Sequence, residues 1–365
     1  MPTLDSPFQL SPVFKPKIWG RADLRPLFTR PQDSLVSANL HGTSARATET
    51  PLIGEVWITD DTSQFKNGPL AGMTLAEASE KYGPALNGRN WKSPRFPILA
   101  KYIYTSDWLS VQVHPDDEQA RRYDPGSPGK CEMWYIVGAE RNGKILLGVK
   151  KGVTREELRA AFEKGASRDC LHRLRPKPGE AIYVPAGTVH ALGPGLVLFE
   201  VEQNSDLTYR LDDFGRPGLD GRPRPLHLDK GLAVAKLAAP AHRDLPRVEL
   251  REPYGLRRLV LACRHFALEK LTLGRRGVFE GSPQQVEVLS IIGGEGLIET
   301  REGWLGFRTG DTWLVPPATG QYRLVPRGQT RLLKFYVPDI EKDFRRPLAK
   351  RGVPASHVSK IVFEA

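Results

Sequence analysis

Three cysteines in 365 residues, Cys131, Cys170 and Cys263, stand far apart with no Cys-x-x-Cys pair. That spacing excludes a disulfide framework and a cysteine-built zinc ribbon, and it fits a reducing compartment. No stretch approaches the ~20 apolar residues that a membrane helix needs. The first 30 residues carry five prolines and no apolar core of a signal peptide. A soluble, cytoplasmic protein is the expectation. Acid is the scarcer charge: 42 Asp and Glu face 53 Lys and Arg, a net +11. An anionic partner follows, a phosphorylated metabolite or a nucleic acid, with a solvated basic surface as the plain alternative.

Turn formers are plentiful, with Gly 35 and Pro 31, and apolar residues make up 40%. The chain is long enough for two domains with a core each, and turn-rich β structure suits the composition better than a helical bundle. Residues 1–30 mix proline with Phe14, Ile18, Trp19, Leu27 and Phe28, as an arm packed on a barrel does. Residues 31–50 are polar and aperiodic, a loop. Strands are expected at 53–58, 96–104, 133–137, 144–148, 181–184, 196–201 and 208–211, then at 256–261, 266–273, 286–292, 296–300, 312–315 and 332–337. Thr74-x-x-Glu77 and Thr154-x-x-Glu157 are capping boxes, which open short helices that Gly83 and Gly165 close. A further short helix spans 228–237, before a proline-containing linker at 238–247.

Chemistry concentrates in Ser110-Val-Gln-Val-His114, Lys130-Cys-Glu132 and Val184-Pro-Ala-Gly-Thr-Val-His190. Alternate strand residues share a face, so Ser110, Gln112 and His114 point one way and Val111 and Val113 the other. The same rule groups Lys130, Glu132 and Trp134. If these faces line one barrel, Gln112, His114, Glu132 and His190 bring two nitrogens and two oxygens together, a donor set for a divalent metal. Asp116 and Asp117 read as helix caps. Cys131, facing away from its neighbours, belongs to the core, and His172, His227, His242 and His265 stand outside any motif.

The two halves echo each other. Gly179 precedes Pro185-Ala-Gly-x-x-His190, and Gly310 precedes Pro316-Pro-Ala-x-x-Gln321; Glu132 stands six residues before Gly138, and Glu287 six before Gly293. The second copy lacks the Gln-x-His and the histidine. A helix-containing insert at about 152–175 accounts for the difference in offset. The expected layout is a metal-binding domain over 1–237, with arm and insert, and a second, ligand-depleted domain over 248–365, structural or lid-forming.

Gly-x5-Pro-x-Gly-x2-His is the second motif of the cupin barrel. Together with Pro12 to Gly20, Gly54-Glu-Val-Trp57, Phe96-Pro97 with Lys101, Gln112-Val-His-Pro-Asp-Asp117, Gly129-Lys-x-Glu-x-Trp-Tyr135 and Gln203-Asn-Ser-Asp-x-Thr-Tyr-Arg210, it makes the chain resemble a type I phosphomannose isomerase of the compact bacterial form. The ordered segments cover about 12–216. One position departs: the generic cupin motif has Asn four residues after its histidine, and here Pro194 stands there.

The resemblance implies a mainly β fold of two cupin-like jelly-roll barrels with a few short helices. It implies one Zn2+ per chain on Gln112, His114, Glu132 and His190. Arg210 would act as a catalytic cation, Lys130 and Ser110 would lie near substrate oxygens or phosphate, and Glu200 is a candidate base. The implied reaction interconverts mannose 6-phosphate and fructose 6-phosphate. Rival readings are a silent phosphosugar-binding or regulatory cupin and an isomerase of another phosphosugar. Nucleic-acid binding through the basic loop 214–225 lacks interleaved aromatics. A monomer or weak homodimer, with no membrane partner, is expected.

Overall fold

In the computed structural model, residues 3–29, 51–88, 91, 93–237 and 245–363 are described. The loop expected at 31–50 and most of the 238–247 linker lie outside them. The fold is mainly β, two cupin-like barrels each made of a large and a small antiparallel sheet. The large sheet of the front barrel runs, in spatial order, Val13–Arg21, Ile53–Trp57, Ile98–Thr105, Leu196–Gln203, Glu132–Ala139 and Ala181–Val184. Its small sheet runs Tyr209–Asp212, Val111–Val113, His190–Leu192, Ile145–Val149 and Leu171–Leu174.

The rear barrel repeats this order. Its large sheet runs Val248–Glu252, Gly255–Ala262, Ala267–Leu273, Thr330–Tyr336, Glu287–Gly293 and Thr312–Val315, and its small sheet Phe279–Gly281, Tyr322–Pro326, Glu295–Thr300 and Gly303–Arg308. One strand crosses over. Phe8–Leu10 pairs antiparallel with Thr312–Leu314 at the edge of the rear sheet, whereas the next strand of the arm pairs with 53–57 in front. The arm therefore belongs to both barrels. Its 13–21 strand contains Pro16 yet forms, because it lies on the sheet edge, where a missing N–H removes no ladder bond.

The two large sheets stack on each other, which explains an apolar run that alternation alone would not predict. Every residue of Ile98–Thr105 is buried. Ala100, Tyr102 and Tyr104 face the neighbouring barrel, while Lys101 and Ile103 face their own interior. A strand covered on both faces has no solvent side to keep polar. Between the sheets, Tyr102 packs on Phe199 at 4.9 Å between ring centroids and Phe199 on Phe335 at 5.6 Å. Tyr102 and Ser290 share a hydrogen bond of 2.7 Å across the junction. Truncating Phe199 to Ala would cost about 3–5 kcal/mol at such a site.

The helices follow their caps. Thr74 accepts from the Glu77 amide, Glu77 returns a bond to Thr74, and the helix Leu75–Tyr82 ends at Gly83. Thr154 and Glu157 do the same for Arg155–Glu163, which buries Leu158 and Phe162. Asp116 caps Asp117–Tyr123 together with Gln119. The helix expected over 228–237 is shorter, Leu228–Val234.

Candidate metal centre

Two rows of paired strands build the site. In the small sheet, His190 lies opposite Gln112, and Gln112 opposite Arg210 on its other side, so all three share one face. In the large sheet, Glu132 lies opposite Glu202, Trp134 opposite Glu200, and Glu200 opposite Lys101. The faces look into the front barrel. His114 follows the end of the 111–113 strand, and Lys130 precedes the start of the 132–139 strand.

The side chains converge. Glu132 lies 3.5 Å from His114 Nε2 and 3.2 Å from His190 Nε2, and the three offer donor atoms within 4.8 Å of one another. Gln112 Nε2 is 3.2 Å from His190 Nε2, and Ser110 donates its hydroxyl to Gln112 Oε1 at 3.3 Å. The remote nitrogens settle the tautomers. His114 Nδ1 is 2.8 Å from the Leu207 carbonyl oxygen and His190 Nδ1 is 2.9 Å from that of Thr188. A carbonyl only accepts, so each Nδ1 carries the proton and each Nε2 turns a lone pair to the centre. Burial, with Lys130 and His190 adding, holds the His114 imidazole well below its ordinary range and therefore neutral.

Donors of this kind fit a divalent cation. His114 Nε2 and both oxygens of Glu132 are buried without a hydrogen bond among the described residues. An unsatisfied buried lone pair is costly, and a metal ligand bond satisfies it. Charge points the same way. Three buried carboxylates, Glu132, Glu200 and Glu202, face two buried lysines: Lys101 reaches Glu200 at 3.0 Å and Glu202 at 3.1 Å, and Lys130 reaches Glu202 at 2.9 Å and Glu132 at 3.4 Å. With three acids to two lysines, one carboxyl is left without a counter-charge, a deficit that a proton or a bound cation makes good.

The same lysines set the protonation states. Burial pushes Glu200 up, but Lys101 and Lys130 override it and hold the carboxyl at about 2. Glu202 goes the other way: burial and the neighbouring Glu200 and Glu132 outweigh the lysines and raise it well above the ordinary range. Burial and Glu200 also raise Glu132. Lys130 is desolvated, yet Glu202 and Glu132 keep it charged. Glu200 is further tied by the indole N–H of Trp134, which donates at 2.7 Å.

Arg210 is half-buried and makes no ion pair among the described residues. Its Nη1 donates to the Pro225 carbonyl at 2.9 Å, and its Nε is buried without a partner. Two nearby acids are committed elsewhere: Asp213 binds Arg216 and Arg224, and Asp212 accepts from Ser167. The loop 214–225 thus folds onto Asp213. Asp117 does more than begin its helix, since it accepts from the Gly129 amide and the Gln203 side chain. Glu202 and Glu55 complete the charged interior, Glu55 pairing with Lys17 at 3.4 Å. Sequence alone hints at them through Lys101, a solitary charge inside an apolar strand. Gln321, which the repeat places opposite His190, is exposed; its neighbour Tyr322 turns inward and donates to Glu287 at 2.8 Å. The turn Pro317–Thr319 before it shifts the rear copy by one residue.

The family model for the phosphomannose isomerase type I catalytic domain matches residues 8–134. Mannose-6-phosphate isomerase ManA of Bacillus subtilis is 33% identical over 324 residues, which is 87% of this chain and 95% of that protein. The crystal structure of the mannose 6-phosphate isomerase from Bacillus subtilis superposes with a TM-score of 0.79 at 28% identity, covering 91% of this chain and all of that one. A zinc-bound mannose 6-phosphate isomerase shares the fold at a TM-score of 0.69 and 17% identity, over 91% of this chain and 99% of that one. The chain belongs to the type I phosphomannose isomerase family.

Proposed function

We propose that this chain interconverts mannose 6-phosphate and fructose 6-phosphate by moving a proton between C1 and C2 through an enediol(ate). The observation that carries the reading is the meeting of two imidazoles and a carboxylate inside a barrel that also holds buried lysines, with His114 Nε2 and both Glu132 oxygens lacking a hydrogen bond among the described residues. Gln112, His114, Glu132 and His190 are the proposed ligands of one divalent ion, zinc by expectation, which when bound supplies a Lewis acid for the substrate carbonyl.

The chain's own groups carry the rest. Arg210, one strand over from Gln112 and free of carboxylates among the described residues, offers its cation to the developing oxyanion. Such a donor contributes about 3 kcal/mol in comparable sites. Lys130 and Ser110 are the proposed contacts for substrate oxygens or phosphate, Lys130 as a fixed positive charge. Glu200 is the proposed base. It is ionised, but a carboxyl held at about 2 is a weak base, so Glu200→Gln decides this role: a loss of kcat without loss of metal supports it, and an unchanged kcat removes it.

Residues 1–237 are assigned the catalysis and 248–365 the supporting role, in a cytosolic monomer or weak homodimer. Among the described residues no helix is long and apolar enough to cross a membrane. The test pairs elemental analysis with a coupled isomerase assay on wild type and His190→Ala. The variant should lose the metal and about 10³-fold or more in activity, beyond the 10–100-fold that removing an outer hydrogen-bond partner brings. Wild-type protein that binds zinc but turns over neither hexose phosphate would leave a silent phosphosugar-binding cupin, and turnover of another phosphosugar alone would correct the substrate.

A further inference from the structure

A second charged recess lies between the barrels, on the opposite side of the 132–139 strand from the metal ligands. It is a cleft of about 580 Å³. Glu132 and Trp134 face the front interior, whereas Tyr135 faces out and lines this cleft. Arg247, Arg258, Lys270 and Arg331 line it as well, with Glu249 as the opposing charge. Arg25 also borders the cleft but is held in a fork by Asp23.

The cations are arranged at a cost. Arg258 and Lys270 stand directly opposite each other on paired strands, where like charges repel. Both crowd the Tyr135 ring, at 6.0 and 5.6 Å from its centroid. Arg258 is 7% exposed; it donates to the Gly179 carbonyl at 2.6 Å, and its Nε is buried without a partner. At Gly179, whose φ is +85°, an added Cβ would lie 3.7 Å from Arg247 Nη2, 3.9 Å from Arg258 Nη1 and 4.0 Å from the Tyr135 hydroxyl. Two guanidiniums and a phenol therefore point at one spot that glycine leaves open. Arg331 lies over Gly293 in the same wall. Among the described residues Arg247, Lys270 and Arg331 form no ion pair, and Glu249 alone cannot neutralise four cations. Burial depresses the Arg258 guanidinium and Arg247 adds to it, the repulsion a bound anion would relieve.

We propose that this inter-barrel cleft binds a small phosphate-bearing anion, at a site separate from the metal pocket. The recess holds a molecule of phosphosugar or pyrophosphate size. The arginines supply planar donors for phosphate oxygens, and Lys270 supplies a point charge.

The probe is inorganic pyrophosphate, titrated calorimetrically into the metal-loaded full chain at fixed ionic strength. The exposed or half-exposed cations are neutralised in Arg247→Gln/Lys270→Gln, sparing the buried Arg258 and its bond to Gly179. The double variant should bind pyrophosphate at least tenfold more weakly at one site, with the thermal midpoint, kcat and KM of isomerisation unchanged. Arg331→Gln should give a smaller loss in the same direction, and Lys66→Gln, an exposed lysine outside the cleft, none. Affinity within twofold of wild type in the double variant would overturn the proposal, since pyrophosphate would then be held elsewhere. An equal loss in Lys66→Gln would overturn it too, by showing a general charge effect. Absence of isomerase turnover would leave this binding test readable, because its readout is heat.

Discussion

The two barrels carry buried charge on the same rungs with the signs exchanged. In front, Lys101 faces Glu200 across the sheet; behind, Glu269 faces Lys334. In front, Glu55 sits one strand further out; behind, Arg257 takes that place and binds Glu269 at 2.6 Å. Glu132 finds its counterpart in Glu287, but Tyr322 and Lys334 close over Glu287, at 2.8 and 3.1 Å, where the front barrel offers imidazoles. The rear network balances: Glu269 and Glu287 meet Arg257 and Lys334, with Tyr322 and Tyr336 donating. The front one keeps His114 Nε2 and both Glu132 oxygens without hydrogen bonds among the described residues. The same sheet order thus supports a self-sufficient ionic core in one copy and one that asks for a cation in the other. The strand Tyr209–Asp212, which carries Arg210, has no counterpart in the rear small sheet.

This contrast can be broken by substitution, most severely in front. Lys101→Glu puts a fourth carboxylate beside Glu55, Glu200 and Glu202. Removing one side of a buried pair costs about 3–5 kcal/mol, and a reversal costs more; urea unfolding should show a variant that barely folds. Adding Glu200→Lys imports the rear polarity, and the double variant should recover at least half of that loss.

Next in size is the rear barrel. Glu269→Gln leaves Arg257 and Lys334 underpaired and should cost about 3–5 kcal/mol by the same measurement, while zinc content and KM stay at wild-type values. A drop in zinc would mean that the two interiors are not independent.

Acid should act on both barrels. Burial pushes Glu269 up, but Lys334 and Arg257 dominate and hold it at about 2, the value Glu200 reaches in front. A carboxyl depressed in the folded state gives stability that is complete above its ordinary 4.5 and is lost as pH falls toward 2. The unfolding midpoint should therefore drop across that window, and Glu269→Gln should flatten the drop. The smallest effect is expected from Tyr322→Phe. Loss of its bond to Glu287 should cost about 1–2 kcal/mol and leave activity unchanged, whereas activity falling with it would give the rear barrel a catalytic part.

What the sequence disclosed follows from the range of the forces involved. Capping boxes at Thr74 and Thr154 and the cap at Asp116 are contacts within one helical turn, and a local pattern discloses them, although the return bond from Gln119 comes only with the structure. The common face of Gln112 and His114 is legible too, because strand alternation is local. The partnership of Lys101 with Glu202 is not, since it depends on the register between strands about a hundred residues apart in the chain. The strands Phe279–Gly281 and Gly303–Arg308 leave little periodic signal in the sequence, because they are short or largely exposed. The repeat points to Gln321 and falls one position short of Tyr322: it fixes spacing along the chain, and a turn of different shape changes which side chain faces in.

The strand at 8–10 has a further consequence. Its hydrogen-bonding partner, 312–314, is made some three hundred residues later on the ribosome. Until then Phe8, fully buried in the finished protein, has no sheet edge to join. The front half can arrange its own strands as it emerges, but its leading segment must wait with an apolar ring uncovered. Docking of that segment is accordingly a late event that reports completion of the rear half, and a chain halted before residue 312 should be cut by protease near residue 8 while a finished chain resists.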